Sequence, residues 1–152
     1  MRAKAAVLAA LFALDRVTKL WALRALRPSG SIAVAPFFHL TYVENTGAAF
    51  GIGPRRNGFF TVFSIALLIG LTLAQRKWPK DNPWLKYGAL LVAAGAVGNL
   101  WDRLAYGFVV DFLDFRVWPV FNVAASCVTV GAALLAWGLR EAEPKGPAPS
   151  RP

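Results

Sequence analysis

The chain has 152 residues, which predicts one domain. With 57% hydrophobic residues and a mean hydropathy of +0.47, it is too apolar for an ordinary soluble domain. The formal net charge of +9 does not indicate nucleic-acid binding here, because basic residues that flank membrane segments meet anionic lipid headgroups. The single Cys127 excludes an internal disulfide, and the lone His39 cannot build a zinc site without cysteine partners, so we predict neither a metal site nor a cofactor.

Long uncharged runs predict an all-α membrane protein with four transmembrane helices. The runs at 58–75 and 117–139 are near the roughly 20 apolar residues that span a bilayer core. The first helix is predicted at 4–26, with polar residues in its second half, and the third at 84–104. The start of the chain also resembles a signal peptide, so a cleaved signal is an alternative to the first helix. A transmembrane helix is preferred, because no cleavage site follows the apolar stretch.

Two loops and a tail complete the predicted single membrane domain, which covers residues 1–152. The loop 27–57 is interrupted by Pro28, Gly30 and Pro36, and its FFHLTY segment at 37–42 predicts a short strand, so this loop is expected to form a small β-rich region between helices one and two. The segment 105–116 is predicted as a second loop or a short interfacial helix, and the proline-rich tail 140–152 as disordered.

Basic residues are unevenly divided between the two ends of the predicted helices. On the side of the termini lie nine: Arg2, Lys4, Arg76, Lys77, Lys80, Lys86, Arg140, Lys145 and Arg151. On the side of the two long loops lie six: Arg24, Arg27, Arg55, Arg56, Arg103 and Arg116. This bias predicts that both termini are cytoplasmic and that both loops lie on the extracytoplasmic side of the membrane.

Under this topology, the polar residues that are unusual in membrane segments gather at the outer leaflet. They are Asp15, Lys19, Asn45, Asn99, Asp102, Arg103, Asp111, Asp114 and Asn122. Ionisable residues at membrane depth are candidates for a functional site. Asp15 and Lys19 share a helix face and are expected to pair. The turn from Asn45 to Gly47 has small residues that let backbone approach a ligand, although this signal is weak by itself and an ordinary loop is the preferred interpretation.

Carboxylate chemistry fits this set of residues best, since no serine nucleophile with a histidine base is indicated. Two carboxylates that share one proton can hold a water and attack an amide, one as base and one as acid. Asp111 is the best first member, because its apolar neighbours are expected to raise its pKa. Asp102 and Asp114 are both available as the second member, and their spacing does not decide between them.

Five segments in register resemble the lipoprotein signal peptidase (signal peptidase II) family over residues 5–139. They are DRVTK at 15–19, ENTGAAFG at 44–51, GNLWDR at 98–103, VDFLD at 110–114 and FNVA at 121–124. The resemblance implies a four-helix aspartyl peptidase of the bacterial inner membrane. Its implied substrates are prolipoproteins, from which it removes the signal peptide just before a cysteine that carries diacylglycerol.

The implied catalytic pair is one aspartate in a VVDF segment and one directly after an FNxA segment. Asp111 matches the first, but Ala125 stands where the family has the second. One carboxylate cannot act as acid and base at once, so the chain as written is expected to be wholly or nearly inactive. Two explanations compete for Ala125: an Asp→Ala change made to study or trap the enzyme, and a natural pseudo-enzyme that binds lipoproteins without cutting them.

The resemblance implies binding and supporting roles for the other polar residues. Four would hold the substrate backbone around the scissile amide: Asn45, Asn99, Arg103 and Asn122. Asp15, Lys19 and Asp102 would form supporting pairs, with a purely structural pair as an equal alternative for the first two. The substrate is expected to enter laterally from the lipid, and the loop with Asn45 to fold over it as a lid. A small transporter subunit is the rival class, but the inner halves of helices two, three and four lack the polar residues of an ion path.

Overall fold

The computed structural model describes residues 2–47 and 57–142. This part of the chain forms four long helices and one small sheet. In chain order they are α1 (Arg2–Trp21) with a π-helical turn (Ala22–Leu26), β1 (Ser31–Ala35), β2 (Phe38–Asn45), α2 (Asn57–Ala74), α3 (Pro83–Tyr106), β3 (Val109–Asp114) and α4 (Val123–Ala142). The first three helices lie within two residues of their predicted bounds when the π-helical turn is counted with α1.

Two helices in the described residues are long and apolar enough to cross a membrane. They are α2, with a mean hydropathy of 1.9, and α4, with 1.5. Only 11% of the apolar window of α2 is buried within the protein, so its hydrophobic side chains face outward, as lipid-facing side chains do. The charged residues of α1 and α3 lie within otherwise apolar helices, and the number of four spans stays a prediction.

Helix α3 is central, since it packs against α1, α2 and, most extensively, α4. Glycines allow the backbones of α3 and α4 to approach closely, as small residues do between membrane helices. A Cβ atom added to Gly131 would lie 2.7 Å from both the carbonyl oxygen of Gly88 and the amide nitrogen of Val92. This contact fixes α3, which carries Asn99, Asp102 and Arg103, against α4, whose first turn holds Ala125.

Both ends of α3 are specified by local sequence. At its start, Oδ1 of Asn82 accepts from the N–H groups of Trp84 and Leu85 at 3.0 and 3.1 Å, and Pro83 occupies the first turn. At its end, Gly107 has φ +81°, a left-handed conformation that costs glycine little. The chain reverses there and enters β3 two residues later.

The three strands form an antiparallel sheet in the order β1-β2-β3. Strand β3 pairs with β2 so that Asp111 lies opposite Val43 and Val109 opposite Asn45. Alternate residues of β3 point to opposite faces. Val110 and Phe112 pack on Ala22 and Leu26 of the π-helical turn, whereas Val109 and Asp111 face a cavity. The sheet therefore presents one carboxylate on its polar face.

The prediction for 105–116 is wrong, because the centre of this segment is neither a loop nor an interfacial helix but strand β3. The predicted β-rich region between the first two helices is confirmed by β1 and β2, and β3 adds a third strand from outside that region. A strand has no hydrogen bonds within itself, and the partner of β3 is β2, more than 60 residues earlier in the chain. Local sequence does not reveal such a pairing.

The predicted start of the fourth helix at 117 is also wrong, since α4 begins at Val123. Phe121 instead forms a bridge to Leu113, and Asn122 caps the helix. At the other end α4 continues to Ala142, so residues 140–142 of the predicted tail are helical. The rest of that tail, 143–152, and residues 48–56 of the first loop lie outside the described residues.

Replacing Gly131 with alanine should destabilise the protein by about 1–3 kcal/mol, because the new methyl group meets backbone atoms that cannot move aside. Gly70→Ala in α2 is the matched control, since no atom lies within 4 Å of its added Cβ. The apparent Tm in detergent should fall for Gly131→Ala and stay unchanged or rise for Gly70→Ala. Equal Tm values for the two variants would contradict the close α3–α4 contact.

Candidate active site

Four charged residues form a buried cluster between α1 and α3, which we call the charge cluster: Asp15, Arg16, Lys19 and Asp102. Nζ of Lys19 lies 3.1 Å from Oδ2 of Asp15 and 2.9 Å from Oδ2 of Asp102. Arg16 donates to the other oxygen of Asp102 and, at 2.8 Å, to Asp15. All four side chains are at most 13% exposed. Two cations balance two anions, which makes their burial tolerable.

The charge cluster also holds backbone from two other elements. Oδ1 of Asp15 accepts from the N–H of Ala124 in α4 at 3.0 Å. Oδ2 of Asp102 accepts from the N–H of Val110 in β3 at 3.1 Å. The cluster therefore positions the residues directly before Asp111 and Ala125.

A relay of amides leads from the charge cluster to Asp111. Nζ of Lys19 donates to Oδ1 of Asn99 at 2.8 Å, and the same oxygen accepts from Nδ2 of Asn122 at 3.1 Å. Asn122 is fully buried, and its Nδ2 also lies 2.6 Å from Oδ1 of Asp111. Its own Oδ1 accepts from the N–H of Ala125 at 2.7 Å, so the same side chain caps α4.

The carboxylate of Asp111 is held on both oxygens by amides. Asn45 donates to Oδ2 at 2.8 Å and Asn122 to Oδ1 at 2.6 Å. Asp111 is only 3% exposed to solvent. Burial raises the pKa of Asp111 from 3.8 to about 6, against the opposing effect of the amide donors. The group can therefore gain or lose a proton near neutral pH, as a catalytic acid or base must.

Asp111 opens onto a cavity of about 120 Å³. Its lining consists of Asn45, Gly47, Asn99, Arg103, Val109, Asp111, Val120, Phe121 and Ala125. Asp111 is the single carboxylate among these described lining residues. The structure thus brings Ala125, the position without a carboxylate, to the same cavity as Asp111.

Arg103 supplies the positive charge of the cavity. Its guanidinium lies 3.5 Å from the carbonyl oxygens of Asn99 and Gly47 and 5.7 Å from the centre of the Phe60 ring. Within residues 2–47 and 57–142 it forms no ion pair. No carboxylate of the described chain therefore lies in direct contact with this guanidinium.

Eight of the nine polar residues that the sequence assigns to one zone lie together, and Asp114 does not. Asp114 is held at the far end of β3 by the hydroxyl of Thr41 and the N–H of Arg116, both at 2.8 Å. Asp102 is occupied by the charge cluster and does not line the cavity. Neither of the two candidates for the second carboxylate therefore meets Asp111 at the cavity.

Arg16 belongs to the charge cluster although the sequence does not predict it as a site residue. Its position directly after Asp15 was the only local signal, and neighbouring helix residues point in different directions. Its second partner, Asp102, lies 86 residues away. Only the packing of α1 on α3 shows that two carboxylates share this guanidinium.

Replacing Lys19 with methionine should destabilise the protein by about 3–5 kcal/mol, because it leaves the charge cluster with an uncompensated buried negative charge. Glu44→Gln is the matched control. It breaks the ion pair between Glu44 and Arg27. Because these side chains are 38% and 60% exposed, respectively, the pair contributes about 1 kcal/mol or less. Thermal unfolding in detergent measures both, and a loss for Lys19→Met as small as that of Glu44→Gln would contradict the cluster's role.

The raised pKa of Asp111 should make stability fall as pH rises from about 4 to 6. In this range the unfolded state releases the proton that the folded state retains. The contribution of protonated Asp111 to the free energy of unfolding is therefore full below pH 3.8 and is lost as pH passes about 6. The loss should reach about 3 kcal/mol. Unfolding free energies of the chain and of Asp111→Asn, compared from pH 4 to 7, test this, because other titrating groups cancel in the difference. A difference that does not change with pH would contradict the prediction.

The known proteins that are similar to this chain in sequence belong to one family. A model of the family described as signal peptidase (SPase) II matches residues 7–140. A lipoprotein signal peptidase of Pelotomaculum thermopropionicum is 45% identical over 134 residues, which is 88% of each chain. One from Gloeobacter violaceus is 43% identical over 151 residues, covering 97% of this chain and 86% of its own.

A solved structure described as a bacterial membrane enzyme has the same fold. It superimposes with a TM-score of 0.86 at 30% identity and covers 97% of this chain and 94% of its own. Sequence profile, relatives and three-dimensional structure therefore agree over nearly the whole length. The chain belongs to the signal peptidase II family, the aspartic-type signal peptidases of the bacterial inner membrane.

Proposed function

We propose that this chain is built to remove signal peptides from diacylglyceryl-modified prolipoproteins and that the cavity at Asp111 is its cleavage site. The observation that carries this proposal is the shared cavity of Asp111 and Ala125, the two positions at which the family's catalytic aspartates are expected. The curated relatives are lipoprotein signal peptidases, and the match extends over all the elements that form the cavity.

The proposed orientation has four spans, cytoplasmic termini and the cavity at the outer leaflet. The start of α1, the α2–α3 connection and the start of α3 meet at one end of the protein, where Lys4, Lys80 and Lys86 lie together. Asp111 and Arg103 lie near the opposite end of α3. The excess of basic residues at the first end favours its placement in the cytoplasm.

In the proposed reaction of the family, Asp111 and an aspartate at the position of Ala125 share one proton and hold a water between them. One accepts a proton as the water attacks the scissile carbonyl, and the other donates its proton to the amide nitrogen that leaves. Asn45 and Asn122 orient Asp111 for this step through the hydrogen bonds to its two oxygens.

Arg103 and Asn99 are the proposed contacts for the substrate backbone. Both line the cavity, and the guanidinium is a strong donor for a peptide carbonyl or for the negative charge that develops on it. The diacylglyceryl group would remain in the lipid beside the helices. Asp15 and Asp102 hold the backbone of Ala124 and Val110, and Lys19 pairs with both carboxylates, so these three are proposed as supporting residues.

The chain as written is proposed to lack this activity, because the methyl group of Ala125 can neither carry a proton nor hold a water. No other carboxylate of the described residues lines the cavity to replace it. Removal of one member of a cooperating catalytic set lowers kcat by several orders of magnitude. A lipoprotein-binding pseudo-enzyme is the alternative function, since the proposed backbone contacts are all present.

Replacing Ala125 with aspartate should produce cleavage of a diacylglyceryl prolipoprotein peptide in lipid, at least about 1,000-fold faster than the chain as written. Ala125→Asn is the matched control, with nearly the shape of aspartate but no proton to exchange, and it should stay inactive. Asp111→Asn in the Ala125→Asp background should abolish the gained cleavage.

Two results would overturn this proposal. Cleavage by the unaltered chain at the rate of Ala125→Asp would show that position 125 is not catalytic. Failure of a folded Ala125→Asp variant to cut, together with tight binding of the lipopeptide by the unaltered chain, would favour the binding protein.

A further inference from the structure

A second cavity, of about 300 Å³, lies at the opposite end of the bundle from Asp111. Its lining consists of Lys4, Gln75, Trp78, Pro79, Lys80, Leu85 and Lys86. These residues come from the start of α1, the α2–α3 connection and the start of α3. We call this space the basic cavity, and the peptidase reaction makes no use of it.

Three lysines converge on the basic cavity without a compensating carboxylate. None of Lys4, Lys80 and Lys86 forms an ion pair within residues 2–47 and 57–142, and no described acidic residue lines the space. Like charges around one cavity repel each other, and a bound anion removes that repulsion. The charge of the cavity therefore favours an anionic ligand.

The inner wall of the basic cavity is apolar and fixed. Leu85 is 1% exposed, and Trp78 packs against a core cluster that contains Leu71, Ala89 and Val92. Tryptophan at the end of an apolar helix is typical of the headgroup level of a bilayer. The cavity thus combines a cationic rim with an apolar wall, as a site for an amphiphile requires.

A second, shallow groove lies on the outside of α2, in the two turns that precede Gln75 of the basic cavity. It is almost wholly apolar, has a volume of about 260 Å³ and is lined by Leu68, Ile69, Thr72 and Leu73. Leu68, Thr72 and Gln75 lie at i, i+4 and i+7, so they share one face of the helix and its continuing turn. An apolar groove on the helix that ends at a cationic cavity suits an acyl chain and not a free phosphate ion.

From this arrangement we infer that the basic cavity binds the phosphate headgroup of an anionic phospholipid, with an acyl chain along the α2 groove. Basic pockets between membrane helices bind such headgroups, and roughly 300 Å³ is within the range of small-molecule sites. The inference rests on the proposed crossing of the membrane but needs no peptidase activity. The site would hold one lipid at the cytoplasmic ends of the helices.

The test is lipid retention by the purified full-length chain, measured by native mass spectrometry with added phosphatidylglycerol. The unaltered chain should retain one phosphatidylglycerol and discriminate against phosphatidylcholine. The triple variant Lys4→Gln, Lys80→Gln and Lys86→Gln should bind phosphatidylglycerol about a hundredfold more weakly, at roughly fivefold for each lysine. The triple Lys→Arg variant keeps all three charges and should bind as the unaltered chain does.

A second triple variant separates a site from diffuse attraction. Arg2→Gln, Arg76→Gln and Lys77→Gln removes the same charge from the same end of the protein, but none of these residues lines the basic cavity. It should lose no more than about fivefold in affinity. Unaltered circular dichroism of both triple variants establishes that they are folded.

Three outcomes would overturn the inference: equal losses in the two Lys/Arg→Gln triple variants, equal retention of phosphatidylcholine, or full displacement of the lipid by millimolar inorganic phosphate. The last would identify a site for a free anion. Because the measurement requires no cleavage, its failure leaves the peptidase proposal standing, and inactivity of Ala125→Asp leaves the lipid site standing.

Discussion

The buried charge cluster of Asp15, Arg16, Lys19 and Asp102 is the interaction on which the rest of the site depends. Burying any one of these charges alone would be strongly unfavourable, so the helices α1 and α3 must be aligned for all four to pair. Once paired, the two carboxylates still have capacity to accept N–H groups, and they hold Val110 and Ala124. An ion cluster between two helices thereby fixes the backbone beside Asp111 and Ala125, the two positions of the proposed catalytic pair.

The carboxylate of Asp111 is held by the side-chain amides of Asn45 and Asn122 and not by a cation. Lys19 and Arg16 are engaged by Asp15 and Asp102, and Arg103 forms no ion pair with Asp111. A cation in direct contact would keep the carboxylate ionised over the whole working range of pH. With amides on both oxygens and little solvent, the pKa of Asp111 rises to about 6, where both protonation states are accessible.

Ala125 illustrates why the fold tolerates the absence of a second carboxylate. The first turn of α4 is capped by Asn122, whose Oδ1 accepts from the N–H of residue 125 itself. The side chain at 125 has no part in that bond, and alanine has the highest helix propensity. The cap of this turn therefore does not depend on the side chain at position 125, and that side chain can change without loss of the cap.

The sequence by itself determined the first three helices and the two positions, Asp111 and Ala125, that we propose as the catalytic pair. Apolar runs and caps are local signals, so the bounds of α2 and α3 could be predicted within two residues, and the five segments in register located Asp111 and Ala125. The same signals were ambiguous for β3, which reads as a short apolar stretch.

Only the tertiary structure decided which polar groups meet. Strand β3 exists because β2 supplies its hydrogen bonds, and that pairing turns Asp111 to the cavity and leaves Asp114 with Thr41. The packing of α1 on α3 brought Arg16 to Asp102, across 86 residues of sequence. Hydrogen bonds and ion pairs act over a few ångströms, so their partners follow from the packing of distant segments and not from spacing along the chain.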